Sequence, residues 1–270
     1  DEAGLIAGLA HARTNLGGLL RELGELIAAE PLLVSAMEIR ERLDDREGSS
    51  TVRGMLGLLH FERGHARAAI ETLESTAEGM TGAQKRRYAP LLAAKAGEMR
   101  ARLGDVSRAD AIAVDQDGID PRILLARARI EWLRGERGKA EALAGRAGAL
   151  AQSLKLPRLA REALALATRI DGGSTPPEKG ETLSAFDEEI FDQLRSERFD
   201  ETRIAALADE LARRGRDDRA ARLWLALAAR AEEVESSRAH AARAEAVLEL
   251  CTTGLSEAEK NAFRRTLLGE

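Results

Sequence analysis

Aromatic residues make up only 3% of the 270-residue chain, so a core has to be built from Leu and Ala. There is one cysteine, which excludes an internal disulfide framework. Cys251 lies in Leu-rich helical text and is expected to be buried and inert rather than a nucleophile. No apolar run approaches the length that spans a bilayer, and no secretory leader is legible, so no membrane partner is expected. The four histidines are scattered. His60 and His65 are five apart, not the four that put two ligands on one helix face, so neither a metal nor any other cofactor is expected. No Ser/His/Asp grouping supplies a nucleophile, and the chain is not expected to be an enzyme. The net charge of −5 argues against nucleic acid, whose phosphates need a basic surface. The chain starts at Asp1 directly in helical text, and is read as a fragment of a longer cytoplasmic protein.

What is present is helix-forming text. Ala, Leu, Glu and Arg dominate, β-branched residues are few, and only six prolines interrupt. Inside this text small residues recur at a fixed step. Gly17, Gly24, Ala29 and Ala36 are followed forty residues on by Gly57, Gly64 and Ala69, and forty further on by Gly97, Gly104 and Ala109. A constant step of small residues in helical text marks a stacked helical repeat.

Leu5, Leu9, Leu16, Leu19, Leu20 and Leu23 form one apolar helical stripe, which Gly24 breaks. A second helix follows with Leu26, Leu33, Ala36, Met37 and Leu43 inward. Residues 44–50 read as a turn. Helix pairs are then predicted over 51–63 with 65–77, from about 84 to 117 around Gly104, and over 123–133 with 139–154. Pro121 and Pro157 each open a helix, where proline is tolerated in the first turn. Residues 171–180, with two glycines and two prolines, deny helix and strand alike and set the domain boundary. The expected organisation is repeats over 1–170, a linker over 171–182, and a C-terminal helical region over 183–270. That last region holds one more hairpin, turned at Gly215, and a final helix with Ser256 and Glu259 at capping-box spacing.

At the sets Gly17/Gly24/Ala29/Ala36, Gly57/Gly64/Ala69, Gly97/Gly104/Ala109, Ala128/Gly135/Ala140/Ala147 and Ala208/Gly215/Ala220 the chain resembles the tetratricopeptide repeat family. The forty-residue step is longer than the usual 34 and is similar to repeats of the kinesin light chain type. The resemblance implies an all-α, right-handed solenoid of about 14 helices in hairpins. It also implies a protein-protein interaction module that takes a peptide or protein surface in its groove, with a spacer or oligomerisation arm as the alternative. An Asn that clamps C-terminal carboxylates in one subset of the family is replaced here by Gly18 and Leu58, so no such clamp is expected.

The first helices of the repeats line the groove in that family. On that analogy Arg21, Phe61, Arg102, Arg122, Arg129 and Trp132 are the candidate partner-binding residues, and the expected partner is a protein or peptide, acidic in character. Asp115 to Asp120 has the wrong Gly and Glu positions for a calcium loop, and Gly135 to Ala140 lacks the spacing of a phosphate loop. Residues 178–201 hold nine acidic and three basic residues and three of the five phenylalanines. Phe186, Ile190 and Leu194 share one helical face there, so this segment either docks on the repeats or caps the C-terminal helices.

Overall fold

The computed structural model describes residues 2–109, 120–171, 200–231 and 233–268. Among these residues there are 13 α-helices and no strand. They are α1 (Glu2–Glu22), α2 (Leu26–Arg42), α3 (Arg46–Arg63), α4 (Ala66–Gly79), α5 (Gly82–Arg102), α6 (Val106–Ala109), α7 (Pro121–Leu133), α8 (Arg137–Ser153), α9 (Pro157–Asp171), α10 (Glu201–Arg213), α11 (Asp217–Arg230), α12 (Val234–Thr252) and α13 (Glu257–Leu268). The fold is all-α and built of helical hairpins, as the repeat pattern requires.

One turn motif closes the hairpins. At Gly64 the backbone has φ +81°, its N–H donates to Phe61 O at 3.1 Å, and the His65 N–H reaches back to His60 O at 2.9 Å. This pair of bonds satisfies the last carbonyls of α3, and it needs a left-handed residue, which Gly adopts without strain. The same two bonds recur at Gly24, Gly104, Gly135 and Gly215. The small residues inside the helices have the other role. A Cβ on Gly17 would lie 2.8 Å from Leu33 Cγ, and one on Gly57 would lie 2.8 Å from Leu73 Cδ2. At each glycine, therefore, a leucine of the partner helix packs directly on the bare backbone.

Some boundaries differ from the sequence reading. Residues 44–50 are not one turn. The Asp45 carboxylate accepts the Gly48 N–H at 2.9 Å, capping α3 so that it starts at Arg46. Leu43, read as inward, caps α2 and is exposed. The second helix of the hairpin turned at Gly215 ends at Arg230, where Ala231 turns extended. The capping box of the last helix is formed: Ser256 N–H donates to Glu259 Oε2 at 2.8 Å, and Glu259 N–H returns to Ser256 Oγ at 3.4 Å. The expected linker and the acidic segment with Phe186, Ile190 and Leu194 lie outside the described residues, apart from Asp171, Asp200 and Glu201.

The chain forms two units, one of residues 1–92 and 200–270, the other of residues 93–199. In the first, α1 to α4 stack consecutively, α10, α11 and α12 pack one on the next, α13 lies against α11, and α12 touches α4. Leu26, Ala29, Leu33 and Ala36 of α2 share a core with Val52, Leu56 and Leu59 of α3. Turns meet turns: the Leu26 N–H donates to Arg214 O at 2.9 Å, and Arg67 Nη2 donates to Gly254 O at 2.9 Å. In the second unit Leu124, Leu125 and Ala128 of α7 pack on Ala140, Ala144 and Ala147 of α8 and on Ala163, Leu166 and Ile170 of α9. Small alanines at the contact let these helices approach closely, and burying them with the leucines supplies the driving force.

Candidate functional site

Polar side chains placed in apolar helical text must find partners. In the second unit they find them on the first helices of successive hairpins. Glu98 of α5 is fully buried, at 0% side-chain exposure. It accepts from Lys95 at 2.9 Å and from Arg102 at 2.8 Å on its own helix. Arg129 of α7 reaches it at 3.4 Å, and the other arm of the same guanidinium donates to Glu162 of α9 at 2.6 Å. A charged row thus crosses three helices in the order α5, α7, α9.

The electrostatics follow from this packing. Burial by itself would raise the Glu98 carboxyl, but the three cations Lys95, Arg129 and Arg102 outweigh it and hold the pKa down at about 2. Burial works against the charge on Arg129 as well, and Glu98 and Glu162 more than offset it, so its pKa is raised. Glu162 is pulled down by Arg129 against the same opposing cost of burial. Glu98, Arg129 and Glu162 are thus each held in the charged form by the ion pairs between them.

Arg102 and Arg129 therefore meet on one carboxylate. Trp132 lies one turn beyond Arg129, packed against the core of this unit, with the Arg169 guanidinium 4.8 Å over its ring. Arg122 is at the other end of α7 and folds back on its own N-cap: its Nε and Nη2 bind Asp120 at 3.0 and 2.6 Å, while Asp120 also accepts the Arg122 N–H. The other two candidates are in the first unit. Arg21 of α1 pairs with Glu62 of α3 at 2.8 Å, again across first helices. Phe61 is buried in the core and leaves little surface for a partner. Lys95, Glu98, Glu162 and Arg169 were not singled out in the sequence. The signal for two of them was there, since Lys95 and Glu98 interrupt the otherwise apolar text around Leu91 to Met99.

The first unit has its own polar junction, between α3 and α4 on one side and α11 on the other. Asp217 accepts from His65 Nε2 at 2.8 Å and from Arg63 at 3.4 Å, and Arg63 also binds Glu30. His60 stacks on His65 with ring centroids 6.3 Å apart. Burial pushes the His60 pKa down, more strongly than Glu30 pulls it up, and His65 and Arg63 add to the depression. Cys251 is buried nearby, its thiol 3.9 Å from Arg63 O and its pKa pushed up by burial and by Asp218 and Asp217, as expected of an inert thiol.

Residues 8–81, from α1 to the start of the α4–α5 connection, match the tetratricopeptide repeat family model. The first two hairpins are thus similar to a tetratricopeptide repeat pair, in agreement with the resemblance carried by Gly17, Gly24, Gly57 and Gly64. No curated protein matches the chain. Tetratricopeptide repeats are in general protein-protein interaction modules, and proteins built of them are typically non-enzymatic scaffolds. No helix among the described residues is long and apolar enough to cross a membrane.

Proposed function

We propose that the chain is the scaffold or sensory arm of a larger cytoplasmic regulatory protein, and that it takes an acidic peptide or protein segment along the first helices of its hairpins. The observation that carries this reading is the charged row Lys95/Glu98/Arg102, Arg129, Glu162. Four of its five side chains are less than a quarter exposed, and all are fixed by ion pairs before any partner arrives. Prefixed side chains lose little rotamer entropy on binding. Trp132 under Arg169 adds the aromatic-plus-arginine composition that dominates binding energy at protein interfaces. With three cations around Glu98, the row favours an acidic partner over a basic one. The family match at residues 8–81 supports a binding rather than a catalytic role.

The test is an array of acidic peptides with and without aromatic residues, probed with the wild-type chain, Trp132→Ala and Arg102→Glu. Retention of an acidic, aromatic subset by the wild type, reduced at least tenfold in both variants, is expected. Peptides that bind all three proteins equally would place the partner surface elsewhere.

A further inference from the structure

The leucine stripe of α1 faces solvent. Leu5, Leu9, Leu16, Leu19 and Leu23 keep between 44% and 77% of their surface exposed, although they recur on one helical face as core residues do. A helix that ends a repeat stack turns a polar face outward, because nothing beyond it covers an apolar one. α1 has no such polar face along the stripe. Its arginines are tied to the neighbouring helices, Arg13 onto Ser35 of α2 and Arg21 onto Glu62 of α3. A stripe of this kind is a contact surface for apolar side chains.

The forty-residue step shows what such a face meets. Leu9, Ala12, Leu16 and Leu19 correspond to Ser49, Val52, Leu56 and Leu59 of α3. Those four are buried, and the last three share a core with Leu26, Ala29, Leu33 and Ala36 of α2, the helix that comes before them in the chain. Two other helices follow the same rule. Ala163 and Leu166 of α9 share a core with α8, which precedes it. α12 buries Ala244, Leu248 and Cys251 and packs on α11, which precedes it. α1 presents the same face with no helix on it.

The covering helices share a signature that defines the missing partner. Ala29, Leu33 and Ala36 of α2 recur as Ala140, Ala144 and Ala147 of α8, at steps of four and three, and all are fully buried. α11 keeps the same steps from Ala220. The alanine lets the backbones approach, and the apolar residues on either side of it bury the leucines opposite. We infer that the α1 stripe is the docking face for an amphipathic helix with this signature, the second helix of a further hairpin that stands before α1 in the parent polypeptide and stacks on it as α2 stacks on α3. The interface continues the stack of the first two hairpins in the same period. α1 belongs to the first unit and the charged row to the second, so this inference stands or falls independently of the peptide reading.

A synthetic peptide of residues 25–45, stapled through its polar face to hold the helix, tests this on the full chain by calorimetry. The wild type should take one peptide per chain. Leu16→Glu/Leu19→Glu should bind it at least tenfold more weakly with unchanged helicity, and a scrambled peptide should not bind. Should that variant misfold, a chain with residues 25–45 repeated ahead of Ile6 offers the helix in cis and should no longer take the peptide. A wild type that ignores the peptide, binding indifferent to Leu16→Glu/Leu19→Glu, or an extended chain that still binds as the wild type does would each overturn the inference. So would a wild-type dimer in sedimentation velocity that Leu16→Glu/Leu19→Glu disperses, since the face would then belong to a second copy.

Discussion

His65 and Asp217 are 152 residues apart in the chain, and His65 Nε2 stands 2.8 Å from Asp217 Oδ2. Asp217 is only 4% exposed and also receives Arg63, so this contact joins the first and last parts of one unit through a buried carboxylate. Removing it takes away the buried acceptor of His65 and leaves Arg63 with Glu30 alone. Asp217→Ala should lower stability by about 2–4 kcal/mol, read from urea unfolding. An unfolding midpoint equal to that of the wild type would mean that the C-terminal hairpins do not depend on this contact.

The glycines divide into two kinds, and substitution should separate them. A Cβ on Gly57 would approach Leu73 Cδ2 at 2.8 Å and the Leu73 backbone N at 3.3 Å. Gly57→Leu overpacks that crossing and should cost about 1–3 kcal/mol. Gly138 in α8 has nothing within 4 Å and no positive φ, so Gly138→Ala should raise stability by roughly 0.5–1 kcal/mol. Thermal melts of the two variants should therefore move in opposite directions. A Gly57→Leu protein that melts with the wild type would show the helix crossing to be elsewhere.

Acid should act on the charged row. The Glu98 pKa lies at about 2 in the folded chain against 4.5 unperturbed, so its stabilising effect is complete above about 4.5 and is lost as the pH falls toward 2. Glu98→Gln removes the charge that Arg129, Lys95 and Arg102 surround, and should cost roughly 3–5 kcal/mol at neutral pH. Its stability should then depend less on pH between 4.5 and 2 than that of the wild type, as measured by circular dichroism melts across that range. Parallel pH profiles for the two proteins would contradict the assignment.

His60 titrates in a different window. Its pKa is depressed in the folded chain, chiefly by burial, so protonation favours the unfolded state. Stability should be full above the unperturbed 6.5 and should decline as the pH falls below it. His60→Gln should flatten that decline between about pH 7 and 5, and NMR titration of the imidazole should place its midpoint below that of a free histidine. A midpoint at or above 6.5 would rule out the burial argument.

The hairpins were legible in the sequence because their causes are local. A glycine at each turn and a small residue at each crossing are demanded by backbone geometry within one helix pair, so Gly24, Gly57 and Gly64 announce themselves. The start of α3 was misread because Asp44 to Ser50 is polar enough for a turn, and the polar residue that mattered, Asp45, is a cap. The charged row was half legible. Arg102, Arg129 and Trp132 stood out by type, but Glu98 becomes their common partner only when three helices are set side by side. The union of residues 200–270 with the first two hairpins had no sequence signal at all, because contacts such as Leu26 to Arg214 leave no local pattern.

That union changes how the protein must be made. A simple repeat array can fold from its N-terminus as each hairpin emerges, since every hairpin needs only its neighbours. Here the first hairpins leave the ribosome long before α10 to α13 exist, with the Leu26 and His65 partners not yet synthesised. The first unit closes last, since residues 93–199 all come between its two halves in the chain. Loop closure of that length slows folding. During synthesis the nascent chain exposes α2 and α4 surface that chaperones, or another nascent copy, can reach first.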